Sequence, residues 1–236
     1  MPNKPDTMPE RDERRPARLG TWPWLLGAFL VAIAVFVLFP NLDLTVARSF
    51  YLGQHQFIGQ GPWGNFWRSV GNVTPFLVLA FIAFAYFMRW RGKTFFYRPS
   101  GKDFAFVALA MLLGPGVIVN LVMKDHLHRP RPVQVTQLDG YRPFMPFYRF
   151  NGACPRNCSF PSGEGAEAFW MVAPAALVPP PWRAPALAGA VVFGVLTSAL
   201  RLAFGGHFLS DTVFAALIMW GLMMGLRRWI YGPDSP

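Results

Sequence analysis

The chain has 236 residues, of which 53% are hydrophobic and only 14% are charged. This composition is typical of a membrane protein and argues against a soluble domain, whose surface needs more charge. The formal net charge is +10, but the basic residues lie mostly between apolar runs, which is how membrane topology is encoded and argues against nucleic-acid binding.

The N-terminal 19 residues are polar, charged and rich in proline, and they predict a disordered tail because they offer little apolar surface to bury. The apolar run 22–39 follows directly. It could belong to a signal peptide, but the FPNLD sequence at its end is not a small-residue cleavage site. We therefore expect a cytoplasmic tail (1–19), an uncleaved first span and one membrane domain (20–236).

Five further apolar runs predict, together with the first, an all-α polytopic membrane bundle of about six transmembrane helices. They are 73–88, 104–123, 166–180, 184–204 and 212–230. A bilayer core needs about 20 mostly apolar helical residues, and only 166–180 is both short and rich in proline. Residues 42–51 mix apolar and polar side chains, which indicates a short interfacial helix or, equally, a semi-polar loop.

The distribution of lysine and arginine predicts the orientation in the membrane. Most basic residues fall in the tail and in the segments that six spans would place beside it, whereas the first opposite loop is nearly free of them. We expect both termini inside a bacterial inner membrane, with the loops after the third and fifth spans facing the periplasm.

Three polar clusters are expected at that periplasmic face. They are KDHLHRPRP (124–132) after the third span, FPSGE (160–164) before the fourth, and RLAFGGHFLSD (201–211) between the fifth and sixth. The clusters are far apart in sequence, but the topology brings the corresponding helix ends together.

The first chemical feature of these clusters is a set of groups suited to an anion. Lys124, Arg131 and Arg201 supply three positive charges with many donors, which suit the oxygens of a phosphoryl group. Ser162 and Gly163, at a predicted helix start, add a hydroxyl and backbone N–H groups.

The second feature is a candidate nucleophile. His207 and Asp211 are four residues apart, so on one helical face the carboxylate could reach the imidazole, fix its tautomer and leave Nε2 free to attack. A nucleophile beside positively charged groups that bind the phosphate oxygens is what phosphoryl transfer requires. No carboxylate cluster suited to magnesium is evident.

The clusters resemble the motifs of the type 2 phosphatidic acid phosphatase superfamily: K-x6-R-P, P-S-G-H and S-R-x5-H-x3-D. Lys124, Arg131 and Pro132 match the first; Pro161, Ser162 and Gly163 match part of the second; Arg201, His207 and Asp211 match the third. The resemblance covers roughly residues 104–225. It implies a phosphohistidine at His207 oriented by Asp211, with Lys124, Arg131, Ser162, Gly163 and Arg201 on the phosphate, and neither metal nor cofactor.

Two positions depart from these motifs. Leu200 replaces the serine of the third motif, and Glu164 replaces the histidine of the second, which in the family protonates the leaving oxygen. Glu164 could be the general acid if burial raised its pKa, whereas its basic neighbours would keep it ionised. Alternatively, Glu164 simply suits a helix N-terminus. A weak acid here would favour leaving groups that need little protonation.

We therefore expect a lipid phosphatase acting on a membrane lipid phosphate, with lipid A 1-phosphate as the first candidate substrate. Undecaprenyl diphosphate, phosphatidylglycerophosphate and phosphatidic acid are the alternative substrates. A lipid phosphotransferase would use the same site, and a lipid transporter or a vanadate-dependent haloperoxidase are more distant alternatives. The oligomeric state is not indicated.

The two cysteines, Cys154 and Cys158, lie in one polar stretch of the predicted periplasmic loop. They are too few for a four-ligand zinc site. A small disulfide is plausible in an oxidising compartment, and two free thiols are the alternative.

Overall fold

The computed structural model describes residues 20–93, 97–124 and 126–232, and these are mostly helical. The helices are α1 (Trp22–Leu38), α2 (Leu42–Ser49), α3 (Pro62–Trp90), α4 (Gly101–Met111), α5 (Gly163–Trp170), α6 (Val172–Ala176), α7 (Arg183–Ala203) and α8 (Leu209–Tyr231). A π-helix, Leu112–Met123, continues α4, and 3-10 turns span Pro132–Gln134 and Thr136–Leu138. Strands β1 (Tyr51–Gly53) and β2 (Gln56–Phe57) pair antiparallel. The predicted tail 1–19 lies outside the described residues, so its disorder and the boundary at residue 20 stay predictions.

The described chain contains four helical segments long and apolar enough to cross a membrane. They are Pro62–Trp90, Gly101–Met123, Arg183–Ala203 and Leu209–Tyr231. A fifth candidate is the pair of α1 and α2, which is bent by 84°. The all-α, multi-pass membrane fold is thereby confirmed, whereas the count of six spans stays a prediction. The helix expected within 42–51 is present as α2, nearly perpendicular to α1.

The segment predicted as the fourth span, 166–180, contributes to two short helices, α5 and α6, separated by Met171. Pro174 and the prolines beyond α6 leave no room for a long regular helix. Both helices are largely buried and pack against α7, and the indole Nε1 of Trp170 donates to the carbonyl oxygen of Val107 at 2.9 Å. This segment is thus part of the bundle core, and the start of α5 carries the PSGE sequence.

Helix α3 begins at Pro62, eleven residues before the apolar run that predicted it. Proline is favoured at the first helical position because it has no N–H to leave unpaired there and its φ already suits a helix. The added length is about 16 Å. It carries Arg68, which lies before the apolar run 73–88, as far as Glu164 at the start of α5.

Four helix ends meet at one end of the bundle: the end of the π-helix, the start of α5, the end of α7 and the start of α8. Backbone hydrogen bonds join the connecting loops, from Val133 N to Gly205 O at 3.1 Å and from Ser162 N to Asp211 O at 3.1 Å. The three polar clusters therefore lie together at this end.

Candidate active site

His207 lies in the loop between α7 and α8 and is only 2% exposed. Its Nδ1 is 2.7 Å from the backbone carbonyl oxygen of Ser159. Because a carbonyl oxygen can only accept, Nδ1 carries the hydrogen of the neutral ring. The lone pair is therefore on Nε2, the atom that the sequence predicts as nucleophile.

The protonation of His207 follows from its surroundings. Burial is the main cause that lowers the pKa of His207 to about 4, and the positive charges of Arg201 and Arg131 add to this effect. The carboxylate of Asp211 acts in the opposite direction without outweighing them. The imidazole is therefore neutral at pH 7, the state that a nitrogen nucleophile requires.

Asp211 is close to His207 but does not hold it directly. The ring Nδ1 is 3.6 Å from Asp211 Oδ2, within ion-pair range but too long for a hydrogen bond. Asp211 instead accepts from the Ser159 hydroxyl, from Phe208 N at 2.7 Å and from Arg129. The direct pairing of His207 and Asp211 on one helical face, expected from the sequence, is therefore wrong. His207 precedes α8, and Ser159 links the two side chains.

A buried network that sequence reasoning missed surrounds Asp211. Arg129, which is 1% exposed, donates to Asp211, to the hydroxyl of Ser210 at 2.7 Å and to Asp43 of α2 at 2.7 Å. Asp43 also accepts from the backbone N–H of Ser210 at 2.9 Å. Buried charges are tolerated when they are paired and hydrogen-bonded. Here Arg129 is paired with Asp211 in the first turn of α8 and with Asp43 of α2.

Arg201 lies in the last turn of α7 and is 3% exposed. Among the described residues, its Nη1 has no hydrogen-bond acceptor, and its Nε lies within ion-pair distance of Glu164 Oε2 without forming a hydrogen bond. A Cβ at position 206 would come within 2.4 Å of its Nη2, so the guanidinium needs a glycine there. A buried donor without an acceptor is rare and costly in native proteins, which makes Arg201 a candidate anion-binding group.

Arg131 and Lys124 are both half-buried. Arg131 donates to the backbone and side-chain oxygens of Asn157, at 3.1 and 2.9 Å. Burial lowers the pKa of Lys124 and of Arg131, and neighbouring positive charges add to the effect in both. This mutual repulsion indicates that the basic groups face a common space.

Ser162 and Gly163 occupy the start of α5 as predicted. Ser162 is the N-cap, and its Oγ accepts from Gly165 N at 3.1 Å, so its hydroxyl hydrogen remains available to a ligand. A Cβ at position 163 would lie 2.8 Å from Asn120 Oδ1 and 3.1 Å from Lys124 Nζ. A side chain at this position would therefore have to displace the ends of the Asn120 and Lys124 side chains.

Glu164 is paired with two arginines. Arg68 Nη2 donates to Glu164 Oε1 at 2.7 Å, and Arg201 Nε is 3.2 Å from Oε2. Burial alone would raise the pKa of Glu164, but the hydrogen bonds from Arg68 and the charges of Arg201 and Arg68 outweigh it and hold that pKa below its ordinary value. Glu164 is therefore ionised in the free site.

The loop before α5 is cross-linked by a disulfide between Cys154 and Cys158. Backbone and ring contacts attach it to the first cluster: Cys154 N donates to His128 O at 3.1 Å, and His128 Nδ1 is 2.9 Å from Cys154 O. Ser159 N donates to Arg129 O at 2.8 Å. These contacts fix the backbone that carries the Ser159 carbonyl beside His207.

The charge balance of the site favours an anion. Lys124, Arg131, Arg201 and Arg68 border it and outnumber the carboxylate of Glu164, while the carboxylate of Asp211 is already matched by Arg129. In the part of the chain that the structure describes, no group of three or more His, Cys, Asp or Glu side chains could hold a metal ion. Metal-independent catalysis stays a prediction.

Comparison with known proteins agrees with this chemistry. Residues 103–233 match the PAP2 superfamily. A lipid A 4′-phosphatase of Francisella tularensis subsp. novicida is 36% identical over 203 residues, covering 83% of this chain and 86% of the relative. Lipid A 4′-phosphatases of Rhizobium etli and Rhizobium leguminosarum are each 33% identical, covering 87% of this chain and 89% and 94% of their own lengths. No solved structure matches.

Proposed function

Because the chain belongs to the PAP2 superfamily and is a membrane-embedded lipid phosphatase, we propose that it removes the 4′-phosphate of lipid A through a phosphohistidine on His207. The substrate class is the one expected from the sequence, but the position changes from 1 to 4′. Support for the change comes from three relatives, all lipid A 4′-phosphatases, that align with most of the chain.

One observation carries the proposal: the buried Nη1 of Arg201 has no acceptor among the described residues, in the same site as a neutral imidazole. We assign the phosphate oxygens to Arg201, Arg131 and Lys124. The Ser162 hydroxyl and the Gly163 N–H at the start of α5 complete the set of donors.

The reaction then has two steps. In the first, His207 Nε2 forms a bond to phosphorus while the bond from phosphorus to the sugar oxygen breaks. The cationic phosphohistidine is stabilised by Nδ1–H donation to the Ser159 carbonyl. In the second, a water oxygen attacks phosphorus, the N–P bond breaks, and inorganic phosphate leaves with His207 neutral again.

The leaving 4′ oxygen is an alkoxide and needs a proton. Glu164 has none in the free site, but a bound phosphate would bring negative charge close to it and engage the donors of Arg201. A like charge nearby raises the pKa of a carboxyl group. We propose that Glu164 takes up a proton when the phosphate binds and then donates it to the leaving oxygen.

We propose that the site faces the periplasm of a bacterial inner membrane. The basic residues predict this orientation, and the disulfide in the loop that carries Ser159 supports it, because disulfides persist in oxidising compartments. A membrane-impermeant thiol reagent should label a cysteine that replaces the exposed Tyr141 of the same loop in intact spheroplasts. Labelling only after lysis would place the site on the cytoplasmic face.

Phosphate release from lipid A by the purified protein tests the function, with mass spectrometry to locate the lost group. We expect loss at the 4′ position, an acid-labile phosphoryl label on the wild-type protein, and at least about a 10³-fold loss of rate in His207→Ala. His126→Ala, which changes an exposed histidine of the first cluster, should leave the rate unchanged. Loss of the 1-phosphate would restore the original prediction, and an active His207→Ala protein would end the mechanism.

A further inference from the structure

An apolar groove of about 390 Å³ lies between α7 and α8 and is closed on its inner side by Phe169 of α5. One face of α7, with Val195, Ala199 and Leu202, forms one wall, and α8 forms the other. Val195 and Ala199 are exposed, so the groove opens sideways out of the bundle. Both helices are candidate membrane spans, and the side opening therefore faces lipid.

The groove adjoins the active site: a Cβ at position 165 would lie 3.0 Å from the Oγ of Ser162 and 3.4 Å from the Oγ of Ser198, which lines the groove. Leu202 follows Arg201 directly, and Leu209, at the top of the other wall, is two residues after His207. From Leu202 to Val195 the groove descends about 10 Å along α7. An apolar chain attached to a headgroup in the site could therefore enter the groove without crossing a helix.

One polar group in this apolar wall has no partner. Ser198 is 7% exposed, and its Oγ has no hydrogen-bond partner among the described residues. The hydroxyl of Thr212, the other hydroxyl residue of the groove, already donates to Leu209 O at 2.8 Å. Ser198 Oγ faces Gly165 in the first turn of α5, where an added Cβ would be 3.4 Å away. It therefore lies where the groove adjoins the phosphate-binding helix start.

We propose that this groove holds the acyl chain attached next to the reacting phosphate, and that Ser198 donates a hydrogen bond to the carbonyl that joins this chain to the sugar. The inference rests on the proposed function and adds to it the place of the lipid tail. An ester or amide carbonyl is the acceptor that an unpaired buried hydroxyl requires, and a hydrocarbon chain is the occupant that an apolar groove open to lipid requires.

The test fills the groove and compares lipid A with its chemically deacylated disaccharide phosphate. In Ala199→Trp we expect KM for lipid A to rise at least about tenfold, with no change in phosphate release from the deacylated compound. Ala188→Trp is the same substitution at an exposed position of α7 outside the groove. It should change neither the KM for lipid A nor phosphate release from the deacylated compound. Ala216→Phe fills the groove from α8. It provides an independent test if Ala199→Trp fails to fold.

Ser198→Ala tests the proposed hydrogen bond to the acyl carbonyl separately from the groove. We expect it to raise KM for lipid A several-fold and to leave the deacylated compound unaffected, because only the acylated substrate has the carbonyl. An unchanged KM in both groove-filling variants would overturn the groove while leaving the proposed function intact. Failure of the wild-type protein to release phosphate from lipid A would overturn the proposed function, and this inference with it.

Discussion

The backbone carbonyl of Ser159 accepts the Nδ1–H of His207 at 2.7 Å, while the hydroxyl of the same serine donates to Asp211. The acidic residue of the third motif therefore orients the imidazole through an intermediate residue. The arrangement fixes the tautomer with a group that cannot itself titrate.

Removing the hydroxyl of Ser159 should consequently affect catalysis more than binding. In Ser159→Ala the carbonyl that holds His207 remains, but one donor to the buried carboxylate of Asp211 is lost. We expect kcat to fall about tenfold with KM within about twofold, as for one lost hydrogen bond to a charged group. Ser69→Ala, at an exposed serine whose hydroxyl bonds its own helix, should change neither constant. A rise in KM alone would contradict the positioning role.

The protonation of His207 makes a prediction about pH. Its pKa of about 4 lies below the ordinary value of 6.5, so the ring stays neutral until the pH falls through about 4. NMR of imidazole-labelled protein should show a resonance, absent in His207→Ala, that does not shift between pH 8 and 5. A midpoint near 6.5 would contradict the effect of burial.

The same shift affects stability, and its sign can be stated. The unfolded chain binds a proton at His207 before the folded protein does as the pH falls. The contribution of this group to stability is therefore complete above about pH 6.5 and is lost progressively as the pH falls towards 4. Thermal unfolding in detergent, compared between wild type and His207→Ala, measures it.

The network around Arg129 should be visible as coupled stability. Arg129→Met leaves Asp43 and Asp211 buried without their cation, and we expect a loss of about 3–5 kcal/mol in the free energy of unfolding. A second change, Asp43→Leu, should recover part of this loss, because it removes one stranded carboxylate. Arg149→Met, at an exposed arginine, should stay within about 0.5 kcal/mol. Additive effects of the two buried changes would mean that the contact contributes nothing.

The proposed role of Glu164 predicts proton uptake on anion binding. Calorimetric titration with inorganic phosphate near neutral pH, in buffers of different ionisation enthalpy, should show up to about one proton more taken up by wild type than by Glu164→Gln. Glu167→Gln, one turn further along α5, serves as the comparison. If that substitution abolished the uptake and Glu164→Gln did not, the acid would be Glu167.

Much of the fold could be predicted from apolar run lengths. The ends of α1, α7 and α8 fall within a few residues of the expected spans, because a lipid environment demands long apolar helices and polar residues end the runs. The run 166–180 instead forms parts of two short helices. It is largely buried by other helices, so it did not need to form one long, regular apolar helix.

The site was predictable only where its residues belong to recognisable short patterns. Lys124, Arg131, Arg201 and His207 could be named from their spacing. Asp43 and Arg68 could not, because their partners lie 167 and 96 positions away, and nothing local encodes such contacts. For Arg68, the proline after Gly61 was a usable signal of a helix beginning early.

The helix α2 supplies the carboxylate of Asp43, although it lies outside all three motifs. A short helix roughly perpendicular to the first span is thus hydrogen-bonded to the start of α8, which begins two residues after the proposed nucleophile His207. A compound that displaced α2 would remove the carboxylate of Asp43 from Arg129. Arg129 would then hold Asp211 less firmly, and His207 would be less well oriented. A compound that binds at α2 could then inhibit the protein without competing with the proposed sugar phosphate substrate.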